Sequence, residues 1–486
     1  MKQVLLSIVC TMAVTSALAA TRDKAAEDAA AVDKIFASFS GDRPGCSVGV
    51  FRDGQTPIVR NYGLADLATK APLTADTVFY MASVSKQFTS LAAATLIADG
   101  KLGIDDDIRK WLPELPRYES PVTVRRLMNH TAGVREVLGL FSLAGTQSYE
   151  TLMPPEVLRM MVRQKELNFT PGSQYTYSNG GYFLLAQVVE RAAGQRFDEY
   201  ARKRILEPLG MTSSYFRYGD NPAGANLAHG YVRDDASGYK VRDTYPGFSG
   251  SGGLMSSVND MAKYDRDLNV GHKVWTDKVR QIMLEPGRLS NGETFDAGDG
   301  LHYASGVRVG TLRGQELIEH SGGHAAFSSN YITFPKLKAS FVSICNIADS
   351  PGKYNWEAAE ALYPKAFKGA KPKAQDRSRP ADTRQSIPAE TITALGVGTA
   401  LYRSEELDAD YRFAREGDGL AIDVFSSFTS GGRPEGFSGL RLEAPDVLRG
   451  DFGKLKLQRG ANNAVTGFVL ETGRLEGGVK FTRVGQ

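Results

Sequence analysis

The spacing of apolar and polar residues changes along the chain and separates strand-like from helix-like stretches. A short apolar run predicts a strand at 47–54, closing in the Asp53-Gly54 turn, and a second strand is predicted at about 58–64. From Ser83 to Ala98 the chain has few helix-breaking residues, and Asp99-Gly100 is a plausible stop signal. The first hundred residues therefore predict a pair of strands followed by a helix.

Helical patterns continue through the middle of the chain, and strands return after it. Several helices are predicted between Val122 and Leu209, most clearly at 181–193 and 197–205. Later strands are predicted at 330–334 and 339–346. The order strands, helices, strands predicts an α/β or α+β domain whose sheet joins both ends of the segment.

Composition marks a boundary near residue 367. Residues 367–388 are rich in Lys, Arg, Pro, Ala and Gln and contain almost no large apolar residue, as is typical of a linker. In 389–486 short alternating stretches are separated by Gly-rich turns, which favours a small antiparallel β-barrel or sandwich. We therefore expect one domain at 21–366 and a second at 389–486, without a catalytic motif in the second.

Length and composition agree with this division and exclude some functions. A chain of 486 residues exceeds what one hydrophobic core usually organises. Apolar residues make up 42% and charged residues 23%, which is typical of globular proteins. The formal net charge of +3 is spread along the chain, whereas a nucleic-acid-binding protein normally carries a dense basic stripe. We expect no nucleic-acid partner.

The first twenty residues have the pattern of a secretory signal. Lys2 precedes an apolar run at 4–14, and Ala17-Leu-Ala19 provides a small-residue cleavage site. The run is too short to span a bilayer, so the mature chain is expected to be periplasmic or secreted, without an integral membrane segment. Its two cysteines, Cys46 and Cys345, could pair in that compartment, but by default we leave them free.

Ser83-Val-Ser-Lys86 is the first candidate for chemistry. Three residues make about one helical turn, so the serine and the lysine share a face. The same pattern occurs at 237–240 and 350–353, but only the first match opens a helix-compatible run. Backbone N–H groups at a helix start favour developing negative charge, as acyl transfer requires. The alternative is a plain N-cap serine.

A serine hydroxyl becomes an effective nucleophile only when a base takes its proton. An ordinary lysine is charged near neutral pH and cannot act as that base. Lys86 would need burial or a neighbouring cation to lower its pKa. A solvent-exposed lysine on a helix face is the alternative.

Tyr177-Ser-Asn179 follows a turn-rich stretch and precedes the predicted helix at 181–193. Tyr177 could transfer protons between Ser83 and a leaving group, and Asn179 could donate to Lys86 or to a substrate carbonyl. The alternative is that Asn179-Gly-Gly181 is simply a turn.

His320-Ser321-Gly322-Gly323 precedes the predicted strand at 330–334. The glycines would let a substrate backbone lie close to a strand edge, with the Gly323 N–H as an oxyanion donor. His320 could contribute a hydrogen bond or partial positive charge, or could be structural. Metal binding by His320 and His324 is disfavoured, because on an extended chain they would stand roughly 13 Å apart. We predict no metal site and no cofactor.

Gly45-Cys-Ser47-Val-Gly49 matches a second serine-hydrolase pattern, the nucleophile elbow. That turn requires a helix after the serine. Ser47 is followed instead by a predicted strand and the Asp53-Gly54 turn, which argues against the elbow.

The three motifs that begin at Ser83, Tyr177 and His320, in this order and at these separations, resemble the signature of the β-lactamase and penicillin-binding protein superfamily. The likeness is to class C β-lactamases and their relatives among D-aminopeptidases, D-Ala-D-Ala carboxypeptidases and serine esterases. It covers roughly residues 30–366. Further segments resemble recurring stretches of that family: 127–133, 169–172, 208–212 and 251–257.

The resemblance implies a mixed antiparallel sheet flanked by helices, an all-helical subdomain, and a site between them. It further implies that the tail is a lipocalin-like β-barrel appendage of the kind some members carry. At the matched positions, it implies that Ser83 forms an acyl-enzyme, that Lys86 and Tyr177 transfer protons, and that Asn179 orients the reacting groups.

For the opposite wall, the resemblance implies that His320, Ser321, Gly322 and Gly323 line the substrate site. The backbone N–H groups of Ser83 and Gly323 would hold the oxyanion. Class C β-lactamases usually carry lysine where His320 stands, and a mostly neutral imidazole attracts a carboxylate less than an ammonium does. This departure favours esters or peptides with D-residues over efficient hydrolysis of penicillins. His130, in a matched segment, is expected to be structural.

The sequence therefore predicts an exported serine hydrolase that cleaves amide or ester bonds through an acyl-Ser83 intermediate. Its partner would be a small-molecule or peptide acyl substrate. The alternative is a penicillin-binding sensor that is acylated with little turnover.

Overall fold

The computed structural model describes residues 24–146, 148–219, 226–236, 238–369 and 385–484. The predicted signal segment 1–20 and most of the predicted linker 367–388 lie outside these ranges. Among the described residues, no helix combines the length and apolar character needed to cross a bilayer.

In the N-terminal region (24–369), the longest described strand, β12, comes near its end. In chain order the strands are β1 (Cys46–Arg52), β2 (Ile58–Tyr62), β3 (Leu64–Asp66), β4 (Ala71–Pro72), β5 (Phe79–Tyr80), β6 (Tyr215–Phe216), β7 (Tyr231–Asp234), β8 (Gly238–Val241), β9 (Leu254–Ser256), β10 (His302–Tyr303), β11 (Arg308–Leu312), β12 (Gln315–His324), β13 (Phe327–Phe334) and β14 (Ala339–Cys345).

Most helices lie between β5 and β10. In chain order the helices are α1 (24–36), α2 (Ser85–Ala98), α3 (Val124–Met128), α4 (Val137–Leu143), α5 (Pro154–Val162), α6 (Asn179–Ala193), α7 (Phe197–Ala201), α8 (Glu207–Leu209), α9 (Val258–Arg266), α10 (Asp277–Leu284), α11 (Pro351–Leu362) and α12 (Ala389–Leu395). The predicted helix at 197–205 is α7 continued through a π-helical turn, Arg202–Leu206, into α8.

Among the described residues, seven antiparallel strands form the central sheet in the order β10-β11-β12-β13-β14-β1-β2. Apolar side chains of α1 and α11 pack with one set of strand residues, and those of α2 and α9 pack with another. Because helices cover the sheet on both sides, β13 and β14 are buried along their whole length. The predicted sheet that joins both ends of the N-terminal region is thus confirmed.

Cys46 and Cys345 are register partners on β1 and β14 and are joined by a disulfide bond. The default expectation of free cysteines is therefore wrong. The two residues are 299 positions apart, and only the pairing of the first strand with the last strand of the sheet brings them together.

The helical part of the N-terminal region, α3 to α8, is inserted between β5 and β6. Helix α2 lies between this part and the sheet and packs against α6. Residues 85–96 of α2 are buried, so this part of the helix has no solvent-exposed face. The start of α2 therefore lies where the sheet and the helical part meet.

Within residues 385–484, nine strands form one antiparallel sheet in the order β18-β17-β16-β15-β23-β22-β21-β20-β19. Leu420 and Leu440 exchange two backbone hydrogen bonds, which bring the ends of this curled sheet together as a partial barrel. The strands are β15 (Leu401–Ser404), β16 (Ala409–Glu416), β17 (Gly419–Ser426), β18 (Thr429–Gly432), β19 (Arg441–Ala444), β20 (Val447–Gly450), β21 (Gly453–Arg459), β22 (Val465–Thr472) and β23 (Leu475–Val484).

The C-terminal region (385–484) packs on the helical part of the N-terminal region. Tyr411 donates a hydrogen bond to the carbonyl of Leu143 at 2.6 Å, at the end of α4. Buried Arg135 forms an ion pair with Glu406 at 2.9 Å. Apolar residues of both regions belong to one continuous core, so the second sheet is held close to the start of α6.

Candidate active site

Ser83 lies in the short 3-10 turn Ala82–Val84, and α2 begins two residues after it. The turn is held against the sheet, because the carbonyl of Met81 accepts a hydrogen bond from the Ser329 hydroxyl at 2.7 Å. Ala82 has a φ of 46°, a left-handed conformation that is strained for a residue other than glycine. No side chain caps α2, whose N-cap is Val84, so the N-cap alternative for Ser83 does not hold.

Lys86 is completely buried in the first turn of α2. Its Nζ lies 2.8 Å from Asn179 Oδ1, 2.7 Å from the carbonyl oxygen of Ser251 and 3.1 Å from Ser83 Oγ. The first two oxygens can only accept, and a neutral amine has two N–H groups. When both are used there, the remaining lone pair is left for the proton of the Ser83 hydroxyl.

The charge state of Lys86 fits this arrangement. Burial lowers the pKa of Lys86 well below its usual value, an effect that the carboxylate of Glu136 partly offsets and that Arg474 reinforces. The amine is therefore able to take a proton under conditions where an exposed lysine is already charged.

Tyr177 completes this side of the site. Its ring centroid lies 4.7 Å from Lys86 Nζ. Burial raises the pKa of Tyr177 far above that of a free phenol, although a hydrogen bond with Ser83 acts in the opposite direction. Tyr177 therefore stays protonated where Lys86 is neutral, and the two groups have different roles in moving protons.

Asn179 begins α6 rather than lying in a free turn, and Ser178 caps that helix by accepting from the Gly181 N–H at 3.0 Å. Asn179 Nδ2 donates to Glu136 Oε1 at 2.7 Å, which points the amide oxygen at Lys86. Glu136 also accepts from the Gly139 N–H at 2.6 Å at the start of α4. Sequence reasoning missed Glu136, since it belongs to none of the three motifs.

His320 lies on β12, opposite the Ser83 turn, and is 6% exposed. Its Nδ1 lies 2.6 Å from the carbonyl oxygen of Ser321, which can only accept, so this nitrogen carries the proton. Its Nε2 then accepts from the Tyr303 hydroxyl at 3.0 Å. Burial, with the nearby Lys86 next in size, lowers the pKa of His320 to about 3. The imidazole is neutral and has both nitrogens engaged.

The glycines that follow His320 differ in surroundings. A Cβ on Gly322 would stand 2.4 Å from the carbonyl oxygen of Met81 and 3.0 Å from the amide nitrogen of Ser83, so only glycine lets β12 lie this close. No atom lies within 4 Å of the corresponding position on Gly323, which faces the opening. Ser321 is exposed, and its hydroxyl accepts from Asn330 at 2.9 Å.

His130 lies behind the site among aromatic rings, with centroid distances of 4.3 Å to Tyr177, 4.5 Å to Tyr303 and 4.8 Å to Tyr182. Its Nδ1 accepts from the Ser178 N–H at 3.1 Å. These contacts are those of a packing residue that positions Tyr177.

A cleft of about 420 Å³ opens over these groups. Six of the eight predicted site residues line it: Ser83, Tyr177, Asn179, His320, Ser321 and Gly323. The other two, Lys86 and Gly322, lie against the Ser83 turn. Sequence reasoning missed the other lining residues, which carry no motif of their own: Tyr175, Ala297, Tyr303, Arg308, Glu319 and Arg474.

The alternative sites gain no support. Ser47 lies inside β1 with its hydroxyl directed to the carbonyl of Thr74 at 3.3 Å, and no helix follows it. Over the part of the chain that the structure describes, no group of three or more His, Cys, Asp or Glu residues could hold a metal ion.

Comparisons with known proteins agree with this geometry. The sequence model of the β-lactamase family matches residues 24–363. A penicillin-binding protein of Bacillus subtilis (strain 168) is 29% identical over 299 residues, 59% of this chain and 64% of its own length. A D-aminopeptidase of Brucella anthropi is 29% identical over 279 residues, 57% of this chain and 51% of its own length. The chain thus spans between one half and two thirds of these relatives.

A solved structure resembles nearly the whole chain. The octameric penicillin-binding protein homologue from Pyrococcus abyssi has a TM-score of 0.60 and 22% identity, covering 92% of this chain and 97% of its own. The shared architecture therefore includes the C-terminal sheet. Since the family model spans more than half of the residues, the chain belongs to the β-lactamase family.

Proposed function

We propose that this protein hydrolyses amide or ester bonds through an acyl-enzyme on Ser83, with Lys86 as the base. One observation carries the proposal. The buried Lys86 amine has two fixed acceptors for its N–H groups, Asn179 Oδ1 and the Ser251 carbonyl oxygen. Its lone pair is then left facing the Ser83 hydroxyl. This is the contact that a nucleophile and its base require.

The proposed reaction has two halves. Ser83 Oγ bonds to the substrate carbonyl carbon as its proton passes to Lys86, and the oxyanion is held by the N–H groups of Ser83 and Gly323. The bond to the leaving group then breaks, and the leaving group takes a proton from Lys86 through the Tyr177 hydroxyl. Water, activated by the same groups, releases the acyl chain from Ser83.

We propose β-lactams, peptides with D-residues, or esters as the substrate class. The names of the relatives, a penicillin-binding protein and a D-aminopeptidase, support the first two of these classes. His320, neutral and fully hydrogen-bonded, supplies no charge for a substrate carboxylate. Any such carboxylate must be bound by another group.

We also propose that the protein is exported with cleavage of residues 1–20. The disulfide between Cys46 and Cys345 supports this, since such bonds persist in oxidising compartments. Intact mass of the protein purified from the periplasm would test the proposal. A mature chain that retains Met1 would overturn it.

The nucleophile is tested by labelling with a fluorophosphonate, followed by intact mass and peptide mapping. We expect one adduct on Ser83, and none after Ser83→Ala. The matched control is Ser350→Ala, since Ser350 belongs to another Ser-x-x-Lys sequence and is exposed. Labelling that persists in Ser83→Ala would refute the proposal. With nitrocefin and D-alanyl anilides, multiple turnovers would support the hydrolase and one lasting acylation the sensor.

A further inference from the structure

The C-terminal region contributes a charged side chain, Arg474, to the cleft that holds Ser83. Arg474 lies in the turn between β22 and β23, and its guanidinium carbon is 5.1 Å from the centroid of the Tyr177 ring. It lines the same cleft as Ser83 and His320. The two regions therefore meet at the place where a substrate would be bound.

Contacts at Arg474 and at Glu476 fix the position of this turn. Asn168 Nδ2 donates to the Arg474 carbonyl at 2.8 Å. The carboxylate of Glu476 accepts from Gln174 at 2.5 Å and from Thr176 at 3.3 Å. The turn is thus bound to the segment that leads directly into Tyr177, and the Arg474 side chain starts from a defined point.

The charges around the cleft make Arg474 distinctive. Burial favours the uncharged form of Lys86 and His320. Arg308 is paired with the carboxylate of Glu319. Among the described residues, no carboxylate lies within ion-pair distance of the Arg474 guanidinium, and its neighbour Glu476 is engaged by Gln174 and Thr176. A guanidinium keeps its charge and can bind a carboxylate through two parallel hydrogen bonds.

We propose that Arg474 binds a free carboxylate of the substrate and selects peptides that end in one. The C-terminal region then supplies the cation that His320 does not provide. This inference rests on the proposed function, since it assigns the substrate class of the same cleft. Arg474 is exposed in the cleft, and over the part of the chain that the structure describes no ion pair holds its guanidinium away from a ligand.

The test compares N-acetyl-D-alanyl-D-alanine with its C-terminal amide, two ligands that differ in the negative charge. Binding is measured by calorimetry on the full chain carrying Ser83→Ala. We expect tighter binding of the acid, and we expect Arg474→Gln to weaken acid binding about 10-fold or more while leaving the amide unchanged. Arg474→Lys should retain part of the preference. The control is Arg415→Gln, an exposed arginine on β16 that does not line the cleft.

Three results would overturn the inference: equal affinity for acid and amide, an equal loss for both in Arg474→Gln, or no measurable binding of the acid. Fluorophosphonate labelling of Ser83 separates this failure from failure of the proposed function. If Ser83 is labelled but the acid is not preferred, only the role of Arg474 is refuted. If the acid is preferred in a way that depends on Arg474 but Ser83 is not labelled, the carboxylate site is supported and the hydrolase is refuted.

Discussion

Lys86 and Arg474 are both basic residues beside the ring of Tyr177, at 4.7 Å and 5.1 Å from its centroid, yet their surroundings are opposite. Lys86 is completely buried among fixed acceptors, so its charge is disfavoured. Arg474 is exposed at the edge of the cleft and lies in the turn between β22 and β23 of the C-terminal sheet, whereas Lys86 lies in α2. The difference separates two tasks, because a proton acceptor must be neutral while a ligand for a carboxylate must stay charged.

The largest expected effect comes from removing the buried amine. Lys86→Met should lower kcat/KM for an activated ester by about 10³-fold, because general-base catalysis contributes on the order of 10²–10⁴. Steady-state kinetics with circular dichroism as a folding check would measure it. Lys101→Met, at an exposed lysine just beyond α2, should retain full activity. A folded Lys86→Met protein with near-normal kcat/KM would show that Lys86 is not the base and that it does not differ from Arg474 in this way.

A second prediction concerns stability in acid. The pKa of His320 is lowered to about 3 and that of His324 to about 4, mainly by burial. Below about pH 6.5 these histidines bind protons in the unfolded chain but not in the folded chain, so the free energy of unfolding decreases as the pH falls. The loss is about 1.4 kcal/mol per pH unit for each such histidine until its folded pKa is reached.

Urea unfolding between pH 7 and pH 4.5 would measure this loss. His320→Gln should reduce the dependence of the unfolding free energy on pH by about one proton. His272→Asn, at an exposed position with a left-handed backbone, should leave it unchanged. If the pH dependence of the unfolding free energy is unchanged in His320→Gln, burial does not keep His320 on β12 unprotonated in the folded protein.

A smaller effect is expected from the carboxylate behind Asn179. Glu136→Gln preserves an acceptor for Asn179 but removes a negative charge that raises the pKa of Lys86. The acid limb of the kcat/KM profile, where activity is lost as Lys86 gains a proton, should move to lower pH by about one unit. Glu150→Gln, at an exposed site, should not move it. A shift to higher pH would contradict Lys86 as the titrating base.

The smallest effect is expected from screening the charge of Arg474 at the edge of the cleft. Salt screens exposed charges more than buried groups, so raising NaCl from about 0.05 to 0.5 M should weaken acid binding by a few-fold. Binding of the amide should change little, as should acid binding in Arg474→Gln. Calorimetry at the two salt concentrations would show this. Equal salt dependence for both ligands would indicate that Arg474 acts through shape alone.

Local pattern was sufficient for much of the fold. The predicted strand at 339–346 is β14 with one residue fewer, and the predicted helix at 181–193 is α6 with two more. Helix α6 spans 15 residues, and β14 is a short, largely apolar run that follows a turn, so the local sequence is enough to predict both. Ser83 lies ahead of its helix because the Met81 carbonyl is bonded to β13, a contact that local pattern does not contain.

The sequence by itself determined which groups could do chemistry: a serine, a lysine three residues later, a tyrosine and an asparagine, each in a motif. Only the tertiary structure decided their states. The pKa of Lys86 is lowered because the packing of α2 buries it, and Glu136 contacts Asn179 because α4 begins beside it. Arg474 reaches the cleft because the second sheet docks on the helical part. Burial and long-range contact set charge and position, and neither is encoded in a short stretch of residues.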